Sequence, residues 1–537
     1  SNPGADDHTA IVTAGAYVPA GYTRLEEYLH VLSIPRGIVA KALPETPTAL
    51  EVDLAKYAVG FTNREPVAFS ITNVAGGTVT QLGRGRVRFE PAVGFYGRGR
   101  FDFTVTDGDG STWTQTFAVF VSAAALPRDL LWKGDGLANL FDTNAPSFWD
   151  GARLTAFSIG DNVTFDDTGS TAPAVNLAGT LLPSSVAIRA DKAYTLGGSG
   201  ALSGAMPLFK SGTGTLTVAT ANTFSGGTTI DGCTVRLTDG GVLGSGTNTL
   251  LGGAFVNAYP AGSQPAFANP FHVPDGETGT LYLGNRVALT GAFSGGGTLN
   301  LVVQTTVARD DIKGSGSAFT GIVNLLGSGT LRTYNNGGNF YGFPNALATF
   351  DAPVRMDFSN YSSGSTIRFG ALSGTNANAV LGNLIAGGAA NLLVGELNTD
   401  TAFAGQFQSS AALRKLGSGN LTLSGASTHT GPTVVSNGTL TVTGSFSAST
   451  TTVASAGTLA GTGRLGAGLT VLAGGTLSPG LGVGCAGTLI VSNTLTLASP
   501  NLAFDLSAAP AGANDRISMQ GGRLAMSGVQ NYLFTLT

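Results

Sequence analysis

Short runs in which leucine or valine alternates with threonine, each closed by glycine, recur through most of this chain. Residues 215–218 (TLTV) and 420–423 (NLTL) are two of them. A strand turns alternate side chains to opposite faces, so each run buries one apolar row and leaves a threonine row in water. None is long enough to hold a core by itself. Stacked coils share one, and the pattern predicts a solenoid.

Residues 43–122 follow a different pattern of longer alternating runs rich in aromatics, at 67–71, 86–90, 99–106 and 113–121. Phe101, Phe103 and Val105 fall on one face, with Phe117, Val119 and Val121 on the facing strand. The run Asp107-Gly108-Asp109-Gly110 between them is a hairpin turn. A small β-sandwich of about seven strands is expected. Before it, residues 1–42 hold one helical pattern, 22–32, with Leu25, Tyr28, Leu29 and Leu32 on one side. Residues 123–128 (AAALPR) are a linker. The expected class is all-β: a short helical lead, a small sandwich, then a long solenoid.

Two stretches, 208–238 and 413–443, align without a gap. Lys210 matches Lys415, Gly212 and Gly214 match Gly417 and Gly419, Leu216 matches Leu421, and Gly226 matches Gly431. A lysine, Gly-x-Gly, an alternating strand and a threonine-rich turn resemble the autotransporter-associated β-strand repeat, also called the passenger-associated transport repeat. That resemblance implies a right-handed parallel β-helix over residues 129–537, on a secreted bacterial surface protein. The hairpin of residues 94–121 resembles the last strands of a cadherin-like or bacterial immunoglobulin-like domain. Residues 21–29 resemble the end of an EF-hand-type segment found in secreted polysaccharide-degrading enzymes. Ala16, Val18 and Ala20 stand where that loop needs oxygen ligands and only Glu27 remains, so calcium is not expected there.

Composition narrows the function. Glycine supplies 80 of 537 residues and charged residues only 11%, yet 42% are hydrophobic, so the chain is expected to fold rather than stay disordered. A net charge of −4 gives no electrostatic case for nucleic acid, and no apolar run is long enough to cross a membrane. Two cysteines, Cys233 and Cys485, are too few for a disulfide framework and are expected to be free thiols. No signal peptide opens the sequence, so Ser1 is expected to begin a mature or cut fragment of an extracellular protein.

Candidate sites are few. Arg84, Arg86 and Arg88, at a period of two, form a basic stripe suited to an acidic polysaccharide, with a solvated face paired to Glu90 and Asp102 as the plainer reading. Asp107 and Asp109 are calcium candidates against the default Asp-Gly turn. Trp132 and Trp149 open the β-helix as a cap or as a sugar platform. Tyr334, Asn335 and Asn336 suggest a loop carrying specificity. The carboxylate pairs Asp166-Asp167 and Asp310-Asp311 are the candidates for hydrolysis, but adjacent strand residues point apart, so each pair reads as a turn. His8, His30, His272 and His429 lack metal-ligand spacing. The expectation is a non-enzymatic extracellular structural or adhesive protein at the bacterial surface, without cofactor. It would act as a rigid stalk or fibre subunit, with itself or an extracellular polysaccharide as partner. The alternative is a carbohydrate-binding accessory region of a pectate-lyase-like polysaccharide lyase.

Overall fold

A computed structural model describes residues 36–39 and, with gaps, 49–536; the wider gaps are 58–65, 122–126, 305–308, 335–340, 361–365 and 385–389. The helix expected at 22–32 and the degenerate loop before it lie outside the described residues. Among the described residues, regular structure is β throughout apart from one 3-10 turn, Leu54–Tyr57. No helix among them is long and apolar enough to cross a membrane.

The sandwich has seven described strands. β1 (Arg36–Val39), β3 (Pro66–Ala75), β6 (Gly97–Asp107) and β7 (Thr112–Val121) form one sheet in the order β1-β7-β6-β3. The other holds β2 (Leu50–Asp53), β4 (Gly77–Gly83) and β5 (Arg86–Pro91), in the order β2-β5-β4. Strict alternation in β6 and β7 sends Phe101, Phe103, Val105, Phe117, Val119 and Val121 inward, where they meet Val87 and Phe89 of β5. Phe101 lies opposite Phe117 in the hairpin register and the rings stack at 5.2 Å.

Contact density divides the chain into two compact units. One holds residues 1–209 and 220–227, the other 210–219 and 228–537. In the first unit, coils begin at Asp129–Trp132, which pairs in parallel with Asn162–Phe165, itself paired with Ser185–Arg189. Leu140–Phe141, Val175–Leu177 and Tyr194–Gly198 build a second sheet, and Thr180–Leu181 with Ala201–Leu202 a third. Aromatic side chains fill the interior: Trp132, Phe141, Phe148, Phe157, Phe165 and Tyr194 are all buried.

In the second unit the coils again supply three strands, two of which run together as one in Thr433–Val442 and Thr451–Gly461. Asn248–Leu251, Ala254–Asn257 and Ala266–Phe267 pair in parallel with Phe271–His272, Thr278–Tyr282 and Ala288–Leu289 of the next. In-register pairing stacks like on like: Leu216, Val235, Phe255, Leu281, Leu301 and Leu325 form one buried column. Leu421, Leu440, Leu459, Leu477 and Leu502 form another. Leu216 is 0% and Leu421 1% exposed, so the alternation of the two repeats points their leucines inward. Outside, Asn300 donates to Thr280 (3.3 Å), Asn324 to Asn300 (2.8 Å) and Thr349 to Asn324 (2.7 Å), a polar ladder climbing coil by coil. The steps of that ladder are 20, 24 and 25 residues, so extra residues enter at corners and the strands stay in register. The final strand, Asn531–Leu536, pairs with Asn501–Leu506 and leaves Tyr532, Phe534 and Leu536 exposed.

Candidate functional site

The two repeat lysines occupy inward positions. In Ala412–Lys415 the exposed residue is Arg414, whereas Lys415 is buried on the side of Leu413; in Leu208–Ser211, Lys210 is buried beside Leu208. A buried ammonium needs acceptors, and the following corner supplies them. Lys415 Nζ donates to the carbonyls of Leu416 (2.5 Å) and Gly417 (3.0 Å), and to that of Asn437 in the next coil (3.4 Å). Lys210 Nζ donates to Ser211 (2.6 Å) and Gly212 (3.2 Å). Gly212 and Gly417 take φ of 80° and 68°, a left-handed corner that favours glycine. Gly226 and Gly431 are required for another reason: a Cβ there would stand within 2.4 Å of the previous coil's backbone. Burial pulls the Lys415 amine down to about 8, opposed by Asp400. In the first repeat the Cys233 thiol donates to the carbonyl of Lys210 at 3.3 Å, and burial pushes that thiol up. Both cysteines are free, Cys233 buried and Cys485 exposed. The lysine is thus an internal knot that ties corner to coil, closed to any substrate.

The basic stripe of the sandwich resolves differently from its period. Arg86 and Arg88 alternate with buried Val87 and Phe89 and face outward together, but Arg84 sits in the β4–β5 turn with φ of 53°, off the strand. Two further arginines, Arg98 and Arg100, point outward from β6, in the opposite sheet. Arg86 pairs with Glu51 at 2.7 Å and Arg88 with Glu90 at 3.1 Å. Asp102 is held by Asn73 and Thr116. Asp107 is buried, and its Oδ1 accepts the Ser111 N–H at 2.8 Å across the hairpin turn; Asp109 lies outside the described residues.

Trp132 corrects the sugar-platform expectation. Its indole is 0% exposed, packed against Phe148 (5.2 Å) and Phe165 (5.5 Å), and Nε1 donates to the Ser170 carbonyl at 2.9 Å. A ring with both faces covered cannot stack on a pyranose. Trp149, next to inward Phe148 in a short hairpin, is left 37% exposed. Tyr334 ends the strand Thr330–Tyr334, while Asn335 and Asn336 lie outside the described residues.

The carboxylate pairs do not converge on a reacting centre. Asp166 caps the Thr168 N–H and Asp167 takes two N–H groups of the next coil, from Asp191 and Lys192, so this pair makes a corner. Asp310 and Asp311 are in a strand, Asp310–Ile312, rather than the expected turn; their side chains point apart. Asp310 is buried and accepts the Val287 N–H, and Asp311 receives Arg332 at 3.0 Å and Arg309 at 3.4 Å. His272 Nδ1 lies 3.0 Å from Ser294 Oγ, and burial lowers its basicity against the pull of Asp275. His429 is buried between Phe407 and Phe446, its Nε2 3.0 Å from Thr433 Oγ1, and burial takes it down to about 4. His8 and His30 lie outside the described residues. Among the described residues no three His, Cys, Asp or Glu side chains gather as metal ligands would.

Composition and spacing overlooked one pair. Arg128, placed by sequence in the linker, reaches Asp161 with Nε (3.1 Å) and Nη2 (2.6 Å), and Nη2 also donates to the Ala156 carbonyl. Asp161 is completely buried and takes the Arg128 and Ser158 N–H groups as well. Its only sequence signal is an acidic residue after Gly160 at the start of a strand, which also describes an ordinary turn.

Comparison with known proteins fits this geometry. The passenger-associated-transport-repeat model matches residues 208–237 and 413–442, and the bacterial Ig domain model matches residues 42–120. Over 266 residues, 43% of its length, the chain is 29% identical to the adhesin BmaC autotransporter of Brucella suis biovar 1 (strain 1330), and it spans 7% of that protein. No solved structure matches. All-β among the described residues, with lysine-knotted coils stacked on leucine columns, the chain carries one bacterial Ig domain and two passenger-associated-transport repeats and is similar to an autotransporter adhesin.

Proposed function

We propose that this chain is a non-catalytic, load-bearing segment of a bacterial surface adhesin, a β-solenoid stalk with an Ig-like module. The observation that carries the proposal is where the reactive groups go. Lys210, Lys415, Asp161 and His429 are all turned into the spine or its corners, while the outward rows are threonine and asparagine. A side chain used as an internal strut is not available to substrate. The adhesin relative and the passenger-associated repeats support a secreted or cell-surface location. The test is to couple the chain to beads and measure retention under flow on host cells, matrix proteins and acidic polysaccharides. Retention above that of bare beads on any of these supports the adhesive role. Retention on none, with release of sugar ends from a polysaccharide, sinks it.

A polysaccharide-binding role rests on Arg86 and Arg88, whose side chains stay 58% and 47% exposed despite their carboxylate partners. Loss of polysaccharide retention in Arg86→Ala/Arg88→Ala places binding there. Self-association is read separately, by light scattering across a concentration series.

A further inference from the structure

Ile159 and Leu182 belong to the coils, yet both pack against the hydrophobic core of the sandwich. They occupy the same corner of successive coils, just ahead of the strands Asn162–Phe165 and Ser185–Arg189, and the Gly160 N–H bonds the Leu182 carbonyl between them. Ala205 stands at the equivalent corner of the third coil, ahead of Leu208–Ser211. It meets the sandwich at Gly97, the first residue of β6, where a Cβ would lie 3.7 Å from the Ala205 Cβ. At the next coil the position is Ser225, and the apolar column ends. On the sandwich side, Gly97 is paired with Val121, and Val121 is completely buried. The sandwich therefore rests its open end on a corner whose sequence is apolar only where it is covered.

We propose that the Ig-like sandwich is a fixed lateral clamp on the first three coils, seated on Ile159, Leu182 and Ala205, so that sandwich and coils open and bear load as one body. This stands apart from any adhesive role: a stalk of any purpose gains a stiff joint, and a polypeptide tether alone leaves the sandwich free to swing. Apolar area buried at the seat favours the closed joint, and no charge pair is needed to hold it.

Two experiments on the full chain decide it. In a Cys485→Ser background, Gly97→Cys/Ala205→Cys places two Cβ atoms within disulfide range. Oxidised glutathione takes two electrons from the pair of thiols, which lose two protons as the S–S bond forms. The expected result is one peptide carrying both cysteines with two hydrogens missing from its mass. Both thiols alkylated after oxidation overturns the clamp. Gly97 has φ of 109°, so if the cysteine variant does not fold, the second experiment decides. In Ile159→Asp/Leu182→Asp, hydrogen exchange is expected to speed up by about tenfold or more at Val119–Val121 and at Leu130–Trp132 together. Unchanged exchange at both, or a change on one side alone, overturns the proposal.

Discussion

The first coils and the last use one architecture and opposite fillings. Around Trp132 the interior is a cluster of large rings, closed by the Arg128–Asp161 pair. Around Leu421 it is a column of leucines, one per coil, with no charged residue between 416 and 463. Stacked identical residues need identical spacing, which in-register coils guarantee. A cluster of unlike rings has no such repeat, and each member is held by several neighbours. The leucine column is therefore modular and the aromatic cluster cooperative.

The sharpest way to break that contrast is truncation. Trp132→Ala removes the ring on which Phe141, Phe148 and Phe165 pack, together with the Ser170 hydrogen bond, and is expected to cost about 4 kcal/mol. Leu421→Ala is expected to cost about 3 kcal/mol. Urea unfolding gives the totals. Hydrogen exchange tests the distinction: Trp132→Ala should loosen every early strand, and Leu421→Ala mainly the coils of Leu421 and Leu440. Equal spread in both would refute the contrast.

Acid probes the late coils through His429. His429 is held down to about 4 against an ordinary imidazole near 6.5, so the unfolded chain binds its proton first. Its contribution is fully present above about pH 6.5 and is lost as pH falls through about 4, up to about 3 kcal/mol. His429→Phe should flatten that dependence, read from melting temperature against pH. An unchanged acid limb would show that the imidazole is not the group responsible.

Alkali probes the repeat knot. The Lys415 amine sits near 8 in the fold and higher when unfolded, so between those values the unfolded chain holds more protons and stability rises with pH. Lys415→Met should remove the rise and, below pH 8, cost about 1 kcal/mol through carbonyls left without a donor. The smallest expected change is Asn324→Ala, about 1 kcal/mol or less, because the ladder is half exposed and water replaces it.

How far these features were legible depends on their range along the chain. The repeat pairs Lys210/Lys415 and Leu216/Leu421 were visible because the same local geometry is needed twice, and the sandwich because alternation in β6 and β7 is strict. The arginine stripe misled because Gly83 and Gly85 flank Arg84 and bend it out of the strand. Trp132 left two readings open because a tryptophan that caps a core and one that meets a sugar look alike until the rings around it are known. Asp310-Asp311 sat in a strand because pairing with the following coil, Asp310 with Leu331 and Asp311 with Arg332, outweighs the turn preference of two aspartates.

By itself the sequence determined the period-two alternation, the glycine corners and hence the class of fold, since those depend on residues a few positions apart. Only the tertiary structure decided which charges became struts, which tryptophan was sealed and where the sandwich came to rest. The partners in each case, Arg128 with Asp161, Trp132 with Phe165, Gly97 with Ala205, lie a coil or more apart. Stacking brings them together, and no local pattern records it.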